Sequence, residues 1–286
     1  MTTFRCASLL ALVAIAVAGG DRDERFSAGA QAVAESLRQG ILTEIAGLGE
    51  HEWAGNYYEG DGMGENVSLA IAPRGGFVFE WHGCLGCYDR NYGTVDVVDG
   101  QLRLAFTFEN ERKGFKGLAP TLVPMAWGER QYLVPADDVI GFCNEVNQGN
   151  EPRANAHGRY LLRQGDEGRH VTGWPDVPAE YRDCLLAQPV TATVMAVGEP
   201  STRPSLTTFN FLEFPMSIDA GRQQGLRPGM ELYVTEPART VERVRLGTVE
   251  DQRAEGVMIQ TDDHPRPPQV GWKLSTWPPW RPLDAK

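Results

Sequence analysis

The sequence predicts a mainly β fold: an N-terminal helix, a meander β-sheet domain, and then a smaller β-rich unit. Three observations predict it. Glycine (32) and proline (19) are plentiful among the 286 residues, which favours many turns and short strands over long helices. From Trp53 onward, apolar residues recur with a period of two over several short segments, the mark of half-buried strands. A long helical period occurs in one place, ahead of residue 50.

The first element read in order is a secretory signal peptide, residues 1–20. Arg5 supplies the positive start, and Ala7 to Ala18 is an apolar run. Ala16-Val17-Ala18 forms the cleavage pattern. The run is shorter than the roughly 20 residues a spanning helix needs, so an uncleaved anchor is the second reading. Cys6 precedes the apolar run and is badly placed for lipidation. Residues 21–49 predict an amphipathic helix. Ala30, Val33, Ala34, Leu37, Ile41, Ile45 and Leu48 share a stripe, with Ser27 as N-cap and Gly49 as stop. Within the helix from Phe26 on, Arg38 is the single basic residue, which argues against a membrane-lying role.

Residues 50–165 predict a curved sheet or small barrel capped by that helix. Val67, Leu69 and Ile71 alternate with polar or small residues, as do Phe77, Phe79 and Trp81 after the turn at 73–76. Leu102, Leu104, Phe106 and Phe108 follow the turn at Asp99-Gly100, and further strands are read at 130–135 and 158–163. Residues 166–189 form a polar connector with one short helix near 178–187. A second β-rich unit spans 190–277 and 278–286 is a tail; Trp277 and Trp280 of the stretch 275–282 fold back over that unit.

The formal net charge is −11. An acidic surface repels phosphate backbones and anionic headgroups, so nucleic-acid partners and membrane-surface roles are disfavoured. After signal cleavage no membrane insertion is expected.

The richest chemistry lies in "EWHGCLGCYDRNYG", residues 80–93. A redox Cys-x-x-Cys sits at a helix N-terminus, where peptide dipoles lower the first thiol's pKa. Here the pair lies between strands, so redox chemistry is disfavoured. His82, Cys84 and Cys87 offer three ligands of a metal site, but no fourth is near in sequence. The favoured reading is structural bridging. Cys84, Cys87, Cys143 and Cys184 are an even set in an exported chain, and Cys84–Cys87 with Cys143–Cys184 is the preferred pairing of three.

Other motifs carry less. The glycine run "EGDGMGEN" (59–66) leads into a strand, not a helix, and so lacks a phosphate cradle's geometry. Asp61, Glu65 and Asn66 lack the calcium-loop spacing. Asp137-Asp138 and Asp262-Asp263 are adjacent pairs, poor geometry for acid–base work. His51, His82, His157, His170 and His264 are scattered. The block "FCNEVNQGNEPR" (142–153) reads as a hydrogen-bonded loop. No catalytic residue and no cofactor is assigned.

The pattern "AGRQQGLRPGM" with paired strands and a closing "VGWKL" (217–276) resembles small six-stranded barrel modules of bacterial envelope proteins, such as the C-terminal module of flagellar-assembly protein T. The resemblance implies a small C-terminal β-barrel. The stretch "GNYYEGDGMGENVSLAIAPRGGFVFEW" is similar to the opening of lipocalin-like or copper-resistance-lipoprotein-like sheets, which implies a lipocalin-like first domain. Together they resemble a secreted proteobacterial family, and none of these likenesses implies an activity. The expectation is therefore a periplasmic or secreted, non-enzymatic protein with a scaffolding or protein-interaction role and an envelope protein as partner. A small-ligand or metal binder using His82, Cys84 and Cys87, and an unrecognised hydrolase, are the alternatives.

Overall fold

The computed structural model describes residues 23–60, 64, 66–112, 115–150, 160–204, 209–238 and 242–279. The signal segment, Asp61, Glu65, Arg153, His157 and Trp280 lie outside the described residues. The chain forms two closed β-barrels, a larger one followed by a smaller one, with a helix ahead of them.

A 3-10 turn at Glu24–Phe26 leads into α1 (Ala28–Leu48). The Ser27 side chain accepts from the Ala30 N–H, the capping bond read from the sequence. Of the stripe, Ala30, Ala34 and Ile41 are buried, while Val33 and Leu48 stay exposed. The helix packs on the outer wall of the first sheet.

The first barrel uses β1 (Gly55–Gly60), β2 (Asn66–Ala72), β3 (Gly76–Gly83), β4 (Gly86–Val98) and β5 (Gln101–Phe106). A small pair, β6 (Glu111–Arg112) and β7 (Phe115–Lys116), lies in the following loop. Then β8 (Thr121–Trp127), β9 (Arg130–Pro135) and β10 (Leu161–Arg163) complete the wall, and β10 closes it on β1. Each strand of the wall pairs antiparallel with its neighbours, and β6 pairs antiparallel with β7 outside it. The register puts Leu69, Ile71, Phe77 and Phe79 inside, with Leu102, Leu122 and Leu133 across from them. Ser68, Ala70, Val78 and Glu80 point outward to α1. Both faces of β2 and β3 are thus covered, which explains why Leu69–Ala72 and Phe77–Val78 have no exposed surface.

β8 escapes sequence reading because Pro124 sits inside it. A proline removes a ladder donor. The strand tolerates it because β5 pairs only with Thr121 and Leu122 and has ended before Pro124.

α2 (Val139–Asn147) follows β9 through a 3-10 turn, Ala136–Asp138. The connector carries a 3-10 helix at Ala179–Cys184, inside the window read for a short helix. The second barrel runs β11 (Thr191–Val197), β12 (Ser201–Arg203), β13 (Phe211–Ile218), β14 (Glu231–Glu236), β15 (Arg243–Val249), β16 (Ala254–Thr261) and β17 (Lys273–Ser275). Its order is β11-β17-β14-β15-β16-β13, closed by β13 on β11, with β12 flanking β13. Trp277 is buried.

Two apolar cores result. One fills the first barrel and reaches α1. The other joins the outward residues Val123, Met125, Tyr132 and Val134 of β8 and β9 to α2, to the connector and to the interior of the second barrel.

Candidate functional site

Two clusters of polar and sulfur-bearing side chains stand out, one at the β3–β4 hairpin and one at the joint between the barrels. At the hairpin, Gly83 pairs with Gly86 and His82 with Cys87, leaving Cys84 and Leu85 at the tip. Leu85 is 81% exposed. Cys84 is exposed and Cys87 half-buried. The Cys87 thiol donates to the Asp89 carbonyl at 3.2 Å. Burial pushes the Cys87 thiol up, with Arg90 opposing in part. Strands flank the pair on both sides, so the helix terminus that activates redox cysteines is missing from this hairpin.

His82 is exposed and lies 4.0 Å from Glu80. Among the described residues, no three His, Cys, Asp or Glu side chains converge as a metal site requires. His82, Cys84 and Cys87 are not brought together as such a group. The residues share a hairpin, but its tip directs Cys84 to solvent while Cys87 turns to the Asp89 backbone.

The carboxylates behind the hairpin are committed to guanidinium groups. Glu80 accepts from Arg90 at 2.8 Å and from Arg38 at 3.1 Å. Arg25 meets Asp89 at 2.6 Å, with side-chain exposures of 2% and 0%. Arg25 also pairs with Asp23 and donates to the Glu109 carbonyl, while Arg90 donates to the Arg25 carbonyl. Asn91 accepts from the Phe108 N–H and donates to the Phe108 carbonyl, pinning the loop after β5. This arrangement fastens the segment ahead of α1 across one end of the first barrel.

Sequence reading missed Arg25, Arg38 and Glu80. A signal existed for Asp89 and Asn91. They fall on the inward phase of β4, in step with Gly93 and Val95, where a polar side chain needs a partner.

The joint is organised by α2, which makes residues 142–147 helical where a loop is read over 142–153; residues 151–153 lie outside the described residues. Asn144 donates to the Gly229 carbonyl and accepts from the Glu231 N–H. Asn147 donates to the Cys184 carbonyl and accepts from the Leu186 N–H, both at 2.8 Å. The Tyr233 hydroxyl and Gln148 Oε1 are 2.6 Å apart. Phe142 stands edge-on to Tyr132 and Tyr160. Cys143 and Cys184 are both buried in this core. Burial pushes the Cys143 thiol up to about 12, and the neighbouring Cys184 adds to the effect.

Among the described residues, Cys84, Cys87, Cys143 and Cys184 all carry free thiols. The two bridges expected from the even count are therefore not formed in the structure.

The first barrel's interior is packed. Tyr57, Leu69, Ile71, Phe77, Leu102 and Leu133 each have 0% exposure, so no cavity wide enough for water touches them. Tyr57 donates to the Trp53 carbonyl, and Arg163 lies over its ring.

No helix of the described residues is long and apolar enough to cross a membrane. No protein family, no curated protein and no solved structure matches this chain.

Proposed function

We propose that this is an exported, non-enzymatic protein that binds a protein partner through the outer wall of its second barrel. One observation carries the reading: apolar side chains on neighbouring strands are left in water on the second barrel's wall. Pro215 is exposed and pairs with half-buried Val257. Two residues along, Ile259 is 48% exposed, and Met195 at the β11 bulge is 56% exposed. Exposed apolar surface grouped on one face supports an interaction role more than scattered residues would. The chain's charge of −11 favours a basic exported partner, because opposite net charge speeds encounter. Neither nucleic acid nor membrane belongs to this reading.

A photo-crosslinker at Ile259, introduced in cells, tests it, with position 251 on another turn as control. The expected adduct is one basic exported protein at 259 and none at 251. The purified pair should bind with an affinity that Ile259→Asp weakens by about tenfold or more, as for a contact at an interface centre. Equal adducts at both positions, or none at 259, would overturn the proposal.

A further inference from the structure

Cys143 lies one helical turn before Asn147, on the same face of α2. Asn147 is tied by two hydrogen bonds to the segment 184–186. The turn that follows Cys143 along this face is therefore clamped to the backbone that carries Cys184. Both thiols are buried, at 0% and 4% exposure, and belong to the same apolar core. Each is thereby held near the other and away from solvent.

We infer that Cys143 and Cys184 are an oxidisable pair that closes to a disulfide bolting α2 to the connector at the joint of the two barrels. The bond forms when each sulfur gives up its proton and one S–S bond joins them. The two electrons and two protons pass to a disulfide oxidant, which leaves as two thiols. Exchange needs a thiolate, and burial holds the Cys143 thiol at about 12. Closure therefore occurs during folding, before α2 is covered, and the finished bond is shielded from reductants afterwards. Cys84 and Cys87 lack that shielding: the first is exposed and the second half-buried.

The test uses the full chain carrying Cys84→Ser and Cys87→Ser, which leaves Cys6, Cys143 and Cys184 of its five cysteines. The reduced protein is refolded with oxidised glutathione, alkylated in denaturant and digested without reductant. The expected result is a linked Cys143–Cys184 peptide, lighter by two hydrogens than the separate pair. It should also resist dithiothreitol in buffer and open rapidly in guanidinium. Two alkylated thiols, or a glutathione adduct at either position, would overturn the inference. If the double variant fails to fold, the same mapping on the wild-type chain gives the answer, because the linked peptide is identified by its own mass. Neither readout depends on where the protein resides or what it binds.

Discussion

Arg25 and Asp89 are both removed from water and meet at 2.6 Å. Removing one partner of a buried ion pair is strongly destabilising, at a cost of about 3–5 kcal/mol. Arg25→Met should lose about that much in urea denaturation, whereas Arg253→Ala, whose pair with Glu250 is solvent-exposed, should match wild type. Equal losses would refute the claim that Arg25 fastens the N-terminal segment. Tyr57 makes a second residue-scale prediction. Burial raises its hydroxyl to about 12, with Arg163 opposing in part. The folded value lies above the unfolded one of about 10. Its contribution is thus complete below pH 10 and disappears as pH rises toward 12, amounting to about 2–3 kcal/mol. Denaturation midpoints measured at intervals from pH 9 to 12 should fall less steeply in Tyr57→Phe than in wild type. At this scale the sequence shows which positions are apolar and hides which charges meet. Arg25 and Asp89 are 64 residues apart, and no local pattern links them.

Among the elements, α2 determines how the two barrels are joined. Its own sequence is a poor helix. Val139, Ile140 and Val146 are β-branched, Gly141 costs about 1 kcal/mol against alanine, and asparagine favours caps and turns. Packing of Phe142 and Cys143 and the bonds of Asn144 and Asn147 compensate, which is why local pattern reads the segment as a loop. Replacing Asn147 by alanine strands the buried Cys184 carbonyl and Leu186 N–H. Each unpaired group costs about 1–3 kcal/mol, so Asn147→Ala should lower stability by about 2–4 kcal/mol. Hydrogen exchange should speed up at Leu186 in particular. A loss confined to α2 amides would show that the clamp does not hold the connector. The strands were far more legible. The alternations at 67–71, 77–81 and 102–106 set both registers and the inward face, because a slip by one residue would turn every apolar side chain outward. α1 was legible too, through its cap and stripe. β8 was not, because Pro124 reads as a breaker until the end of β5 is known.

On the scale of the whole molecule, the chain has two barrels but does not divide its cores between them. The outer wall of β8 and β9, α2, the connector and the interior of the second barrel form one apolar cluster. Sequence reading sets a boundary near residue 190 because composition shifts there. It cannot see that Ile140 packs beside Gly229, or that Asn144 reaches the Gly229–Glu231 backbone. A core shared in this way couples the stability of the parts it joins. Heating should therefore give one cooperative transition, with equal calorimetric and van't Hoff enthalpies. Met258→Ala, in the second barrel's interior, should destabilise by about 2–5 kcal/mol and shift that same transition. Far-ultraviolet dichroism and fluorescence from Trp53 and Trp81 in the first barrel should move together, although Met258 lies in the other unit. Were the tryptophan signal to stay at the wild-type midpoint while a second, earlier transition appeared, the barrels would be independent units joined by a hydrogen-bonded hinge, and α2 would be a spacer between two separate cores.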